Sequence, residues 1–446
     1  MRRWFLTLLM VILALTGCAA PESKPATTDK PNSQQTAPTA DKKTIKLLTH
    51  WDAANSKEFE KYIAEYQAAN PGVEIKLQTV PFGELLKKIT TSKLSDDGPD
   101  IFHIYAAWLP ELAGSKSIVP APDTISADIS NSYANNIKES VSTQDTVYGY
   151  PTELTTYALN YNKRLFAEAG ITEPPKNWSE LVDYAKRLTK QENGKITQQG
   201  FGVVTGWDSG AVHPWLALYQ SNGGKFLTDD RKQAAFNNPQ GKETINLYKT
   251  LVDEKALNPE MSPANASTTG GYQNNFELER TAMIIMANWW KGGLEATMKD
   301  KFQNVATAPI PVGPSGDKSI SVFYSWLYSV NAKSKNQEEA WKFLQWLNSP
   351  KSSGQSSRQG DWLINQGIIP SRTDDQTAHK STLESDSFLK TYVSLLKDAE
   401  AFPNVNGGAE ITVSLQKQIE SVLFGQTAPD AAIETSATQI NGILNK

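Results

Sequence analysis

The chain of 446 residues has one cysteine, Cys18, and four histidines, spread over positions 50, 103, 213 and 379. A lone cysteine forms no internal disulfide and supplies no cysteine metal cluster. There is no GxSxG elbow, phosphate loop or HExxH pattern, so the common hydrolase, nucleotide and zinc-protease chemistries have no foothold. No apolar run approaches the ~20 residues of a membrane-spanning helix. No internal repeat is found. The net charge is −4, which argues against nucleic acid as a partner. Neither a metal nor a cofactor is expected. What remains is a globular composition, 39% hydrophobic and 21% charged, in a chain long enough for two or more domains.

The N-terminus reads as a targeting segment. Met1-Arg2-Arg3 is basic, and Trp4 to Leu15 is apolar but too short to span a bilayer. Leu15-Thr16-Gly17-Cys18 resembles the lipobox of bacterial lipoproteins, in which the cysteine is lipidated and begins the mature chain. Residues 1–17 are therefore expected to be a signal peptide. Residues 18–42 follow as the lipidated cysteine and a disordered tether, since AAPESKPATTDKPNSQQTAPTAD holds almost nothing apolar larger than alanine.

The body opens with alternating elements. TIKLLTHWD (44–52) has a strand pattern, and the next stretch places Phe59, Tyr62, Ile63 and Tyr66 at helical spacing before Asn70-Pro71-Gly72 ends it. VEIKLQTV predicts a second strand, 84–94 a helix, and IFHIY a buried parallel strand. This order predicts an α/β domain with a doubly wound sheet, whose ligands lie beyond the carboxyl ends of the strands. Those ends are His50-Trp51-Asp52 and Tyr105 to Trp108. A second unit begins near VYGYPTELTTYALNYN (147–162). Helices are expected up to Gly170, from Trp178 to Thr189 and over QEEAWKFLQWL (337–347), whose Trp341 and Trp346 fit the packed face. The segments 308–318 and 353–361 read as loops.

In GPDIFHIYAAWLPELAGSKSIVPA (98–121), the block YPTELTTYALNYNKRLFAEAGITEPPKNWSELVDYAKRLT (150–189), AWKFLQWL and GIIPSR (367–372), the chain resembles the extracellular solute-binding proteins of ABC importers. The likeness is to their large carbohydrate-binding group, which includes maltose-binding protein. That resemblance implies a two-lobed, periplasmic-binding-protein-like α/β fold, each lobe a sheet flanked by helices, with the ligand cleft between lobes. The lobes would be 43–150 plus about 309–350, and 151–308 plus about 351–446. It also implies a monomer, held by its lipid at the outer face of the cytoplasmic membrane, that captures a sugar by closure and docks on permease transmembrane subunits. Where relatives often have glycines, this chain has Glu279, Ala287 with Asn288, and 321–326, which predicts cleft walls that are bulkier or differently shaped.

A sugar offers apolar C–H faces and a belt of hydroxyls, so its site needs flat aromatic surfaces beside carboxylates, amides and guanidinium groups. The apolar run of MIIMANWWKGGL ends in Trp289 and Trp290, which are expected to point to opposite sides. The resemblance puts a sugar-stacking tryptophan at Trp289 and leaves Trp290 to packing, or the reverse. Trp51 and Asp52 pair a ring with an acceptor, although Asp52 could equally cap the next helix. Tyr105 ends a strand. Glu153 and Tyr157 lie at the crossover into the second unit. TGWDSGAVHPW (205–215) reads as a loop bringing Trp207, Asp208 and Trp215 to the ligand. Tyr324, Trp326 and Arg372 complete the candidates. Three alternatives stand beside the sugar reading. A polyamine would want more carboxylates, and a peptide would want an arginine with a carboxylate for its two ends. A surface-anchored glycosidase would need a carboxylate pair set by space, not by spacing.

Overall fold

IFHIY becomes β3 (Ile101–Tyr105), buried along its whole length in the computed structural model. The structure describes residues 42–51, 53–92, 97–264 and 271–446. The signal peptide, Cys18, the tether up to Asp41, Asp52 and Leu94 lie outside the described residues.

β1 (Lys43–Thr49) runs parallel to both β2 (Val73–Thr79) and β3, with Leu47 opposite Ile101. The intervening helix, Ala53–Ala69, buries Phe59, Ile63 and Tyr66 against this sheet, which is the stripe its periodicity required. The next strand of this sheet is β4 (Tyr150–Asn162), followed by β5 (Lys190–Glu192), β6 (Lys195–Gly202), β7 (Thr281–Ala287) and β8 (Val305–Ala308). β9 (Val322–Val330), β10 (Ile369–Pro370) and β11 (Glu400–Ala401) complete a sheet of eleven strands. The order is β2-β1-β3-β9-β4-β7-β6-β5, with β8 and β10 also on β4 and β11 on β9.

β4 is the strand that joins the two ends of this sheet. Its first part, through Thr156, pairs with β9 and β10; from Tyr157 onward it pairs with β7, and from Leu159 also with β8. The sheet thus has a first half (β1, β2, β3, β9, start of β4) and a second (end of β4, β5 to β8). Pro151 cannot donate to the ladder, and the β4–β9 register slips beside it, between Ser325 and Leu327.

Three expectations change here. TGWDSGAVHPW is not a loop: Asp208–Gln220 is a helix, every residue of which from Ser209 on is buried. An apolar run with Asp208 in its first turn outweighs Pro214, whose missing N–H forfeits one internal hydrogen bond. The loop expected over 353–361 stops early, because the Ser357 side chain accepts from the Gly360 N–H and caps the helix Arg358–Asn365. Glu279 is not a wall of the cleft. It takes φ 60° in the turn before β7, and its carboxylate accepts from Arg164 and from Asn162 at 3.1 Å.

Candidate functional site

Side chains two apart on a strand share a face, and this parity builds the centre of the site. On β3 they are His103 and Tyr105; on β9 they are Tyr324, Trp326 and Tyr328. The antiparallel register sets Trp326 opposite Tyr105 and Tyr328 opposite His103. Beyond the end of β1, His50 stacks on Trp326, with ring centroids 4.1 Å apart and planes 19° from parallel. Phe82 and Trp108 close this wall, 5.6 Å from each other and both within about 6 Å of Trp326.

The second half supplies the facing wall. After β7 the chain turns through Asn288–Trp290, and the buried Asn288 fixes that turn to β4. Its Oδ1 accepts from the Thr156 N–H at 2.9 Å, and its Nδ2 donates to the Leu154 carbonyl at 3.1 Å. So held, the two indoles diverge. Trp290 is buried, packs on Phe276 and donates to Asn160 Oδ1 at 3.3 Å. Trp289 stays half-buried, 5.8 Å from the ring of Trp207. Trp207 also faces Phe82 of the first half at 6.2 Å, so the two halves meet here.

At the centre, His213 lies between two tyrosine hydroxyls, 3.1 Å from that of Tyr105 and 3.0 Å from that of Tyr157. Below them Glu153 is buried and accepts from Thr152, and His103 Nε2 is 3.5 Å from its carboxylate. Burial disfavours the Glu153 charge, but His103 and the two hydrogen bonds hold its carboxyl below the ordinary range.

Two polar atoms in this cluster are buried without a partner, His50 Nδ1 and Trp207 Nε1. Each such atom costs about 1–3 kcal/mol.

Burial lowers His50 and His213 from the usual 6.5 to about 3. The folded chain then binds fewer protons than the unfolded one between those values, so stability falls as pH drops below about 6.5. Each histidine is expected to remove on the order of 1.4 kcal/mol per pH unit there. Urea unfolding at pH 7 and pH 5.5 measures this, and His50→Gln should flatten the slope.

Tyr105, Glu153, Tyr157, Trp207, Trp289, Tyr324 and Trp326 are brought together, with Trp51 behind them. Trp51 is buried against Phe59 and Trp362, 4.8 and 4.4 Å from their rings. Asp208 begins its helix at the edge, its Oδ2 accepting from Thr412 at 3.2 Å. Three candidates lie elsewhere. Trp215 is fully buried within the helix, stacked on Tyr219 at 5.3 Å, whereas Trp207 is the extended residue just before it. Trp290 is core, as above. Arg372 is committed to Asp128 through two bonds of 3.1 and 3.0 Å and lies over the Tyr133 ring. The rule of strand carboxyl ends points to His50 and Trp108 without making them site candidates; Phe82 and His213 are not among the candidates, and nothing local marks Phe82. A surface groove of about 300 Å³ lies at Gln220 and Glu400, but its rings, Phe226 and Phe402, are buried in packing. Among the described residues, no group of His, Cys, Asp and Glu could hold a metal ion, and no helix is long and apolar enough to cross a membrane.

An α/β sheet in two halves sharing one long strand, with ligand-type side chains converging from both, defines a two-lobed binding protein. The chain belongs to the bacterial extracellular solute-binding protein family, whose model matches residues 52–353. A binding protein of Brucella abortus is 27% identical over 406 residues, 90% of this chain and 92% of that one. A solute-binding protein of an ABC transporter from Thermotoga lettingae, bound with α-D-tagatose, superposes with a TM-score of 0.77 at 26% identity, covering 90% of this chain and 100% of that one. The GacH receptor of Streptomyces glaucescens, solved unliganded and with acarbose, gives 0.78 at 22%, covering 91% and 99%. The family consists of binding proteins for transport, not enzymes.

Proposed function

We propose that this chain captures a sugar or oligosaccharide between its two lobes and delivers it to an ABC permease. One observation carries the reading: aromatic rings from both sheet halves converge, with unpaired ring nitrogens among them, on a place where a polyol has both its faces and its hydroxyls matched. Trp289 and Trp207 would stack on the sugar, Trp326 and His50 would form the opposite wall, and Glu153 with Tyr157 and Tyr105 would meet hydroxyls. The carbohydrates bound by the similar proteins above support this class of ligand.

The lobes are taken as 43–150 with about 309–350, and 151–308 with about 351–446, the stretch 358–372 reaching back to pack on the first. Ligand bound to both lobes favours closure by its differential affinity alone, since only that shifts the equilibrium. Cys18 would carry the lipid, with the segment up to residue 42 tethering a monomeric body outside the membrane, where it docks on the permease subunits.

A polyamine fits less well. The carboxylates near the rings are Glu153, which accepts from Thr152 beside His103, and Asp208, which accepts from Thr412. The arginine a peptide terminus would need is held by Asp128. Melting curves with mono- and oligosaccharides, polyamines and peptides test the reading. A ligand at 100 times its Kd should add about 2.7 kcal/mol of stability. A shift with a carbohydrate is expected; shifts confined to polyamines or peptides would overturn the ligand class.

A further inference from the structure

His213 touches both halves of the molecule. It is wholly buried in the helix Asp208–Gln220. Through Nε2 it reaches Tyr105 at the end of β3, and through Nδ1 it reaches Tyr157, where β4 passes from pairing with β9 to pairing with β7. A neutral imidazole has one donor and one acceptor. One tyrosine hydroxyl therefore accepts from it and the other donates to it, and both ring nitrogens are used.

We propose that His213 is a positioning residue that clasps the two halves together, and that the clasp releases in acid. Its effect on ligand affinity rests on the carbohydrate reading of the cleft; the clasp itself does not. The groups facing the imidazole are the hydroxyls of Tyr105 from β3 and Tyr157 from β4, the ring of Tyr324 from β9 at 5.0 Å, and Phe402 at 4.8 Å. None of these is charged near neutral pH. The carboxylate that acts on this group, Asp208, acts on Tyr105 and itself accepts from Thr412. An imidazolium here would be a buried cation without a counter-ion, and burial alone lowers His213 to about 3. Separating the halves breaks the Tyr105 bond and admits water, after which the ring takes its proton near the ordinary value of about 6.5. Opening is then linked to uptake of one proton. The open-to-closed ratio should rise about tenfold for each pH unit below about 6.5. His50, facing His103 and Glu153 and also lowered, can add a second proton, so the His213 share must be isolated by substitution.

The test follows the imidazole nitrogens by NMR, and the radius of gyration by X-ray scattering, from pH 7.5 to 5 in the ligand-free protein. His213 is expected to gain its proton in step with expansion. His213→Gln should remove about one proton from the slope of that expansion, and Tyr105→Phe should move it to higher pH. Titration of His213 near 6.5 without expansion, or an unchanged slope in His213→Gln, would overturn the clasp. Any carbohydrate found in the melting screen should bind about tenfold more weakly per pH unit attributable to His213. If none binds, the carbohydrate reading fails while the NMR and scattering results still decide the clasp.

Discussion

Trp289→Ala is expected to weaken carbohydrate binding by roughly 30- to 150-fold, the about 2–3 kcal/mol of a buried aromatic anchor at an interface centre. The melting temperature should stay within about 2 °C. The two expectations separate because Trp289 is half-buried beside Trp207, whereas its neighbour Trp290 is packed on Phe276 and bonded to Asn160. Trp290→Ala makes the contrast: a large cavity in the core costs about 3–5 kcal/mol of stability. Calorimetric titration together with melting curves measures both. Equal affinity in Trp289→Ala and wild type would remove that indole from the site.

Arg372→Met should behave in the opposite sense to Trp289→Ala, losing stability and keeping affinity. Arg372 is 5% exposed and carries Asp128 on two hydrogen bonds, with Ser132 on a third. Burial works against both charges, yet the pair holds Asp128 below and Arg372 above their ordinary values. Removing one partner leaves the other charge without compensation, at a cost of about 3–5 kcal/mol for a fully buried pair. Asp128 keeps 23% of its side chain in solvent, so the lower end is expected. Chemical unfolding checks this. A loss of affinity with unchanged stability would return Arg372 to the cleft.

The sheet was readable where pattern and local signals agreed. IFHIY between Pro99 and Trp108 has the short, unbroken apolar run of a strand buried on both faces, and it is one. Asn177 before Trp178 predicts a helix start, and its side chain does accept from the Glu180 N–H. The region 205–215 misled because tryptophans, two glycines and a proline resemble loop composition, while the force that makes it helical is burial against other parts of the chain. Trp207 and Trp215, eight residues apart, part because Trp207 is the extended residue before that helix and Trp215 is packed within it. Aromatic residues cannot be sorted into wall and core by type, since both roles use the same chemistry; what sorts them is register. Tyr324, Trp326 and Tyr328 share a face with His103 and Tyr105 only because β9 pairs antiparallel with β3, across more than two hundred residues of sequence. The stretch 205–215 draws notice for its tryptophans and its histidine, but the role of His213 is not legible there, since its partners Tyr105 and Tyr157 are 108 and 56 residues away.

The chain has twelve tryptophans, and their indole N–H signals give the most direct test of the account. Proton–nitrogen correlation spectra would be recorded before and after saturation with a carbohydrate that raises the melting temperature. The account predicts that the signals of Trp207 and Trp289 shift most, with that of Trp326 moving alongside, while those of Trp215 and Trp290 hold still. Saturation with Trp207 and Trp289 unmoved would contradict it and place the sugar elsewhere on the molecule.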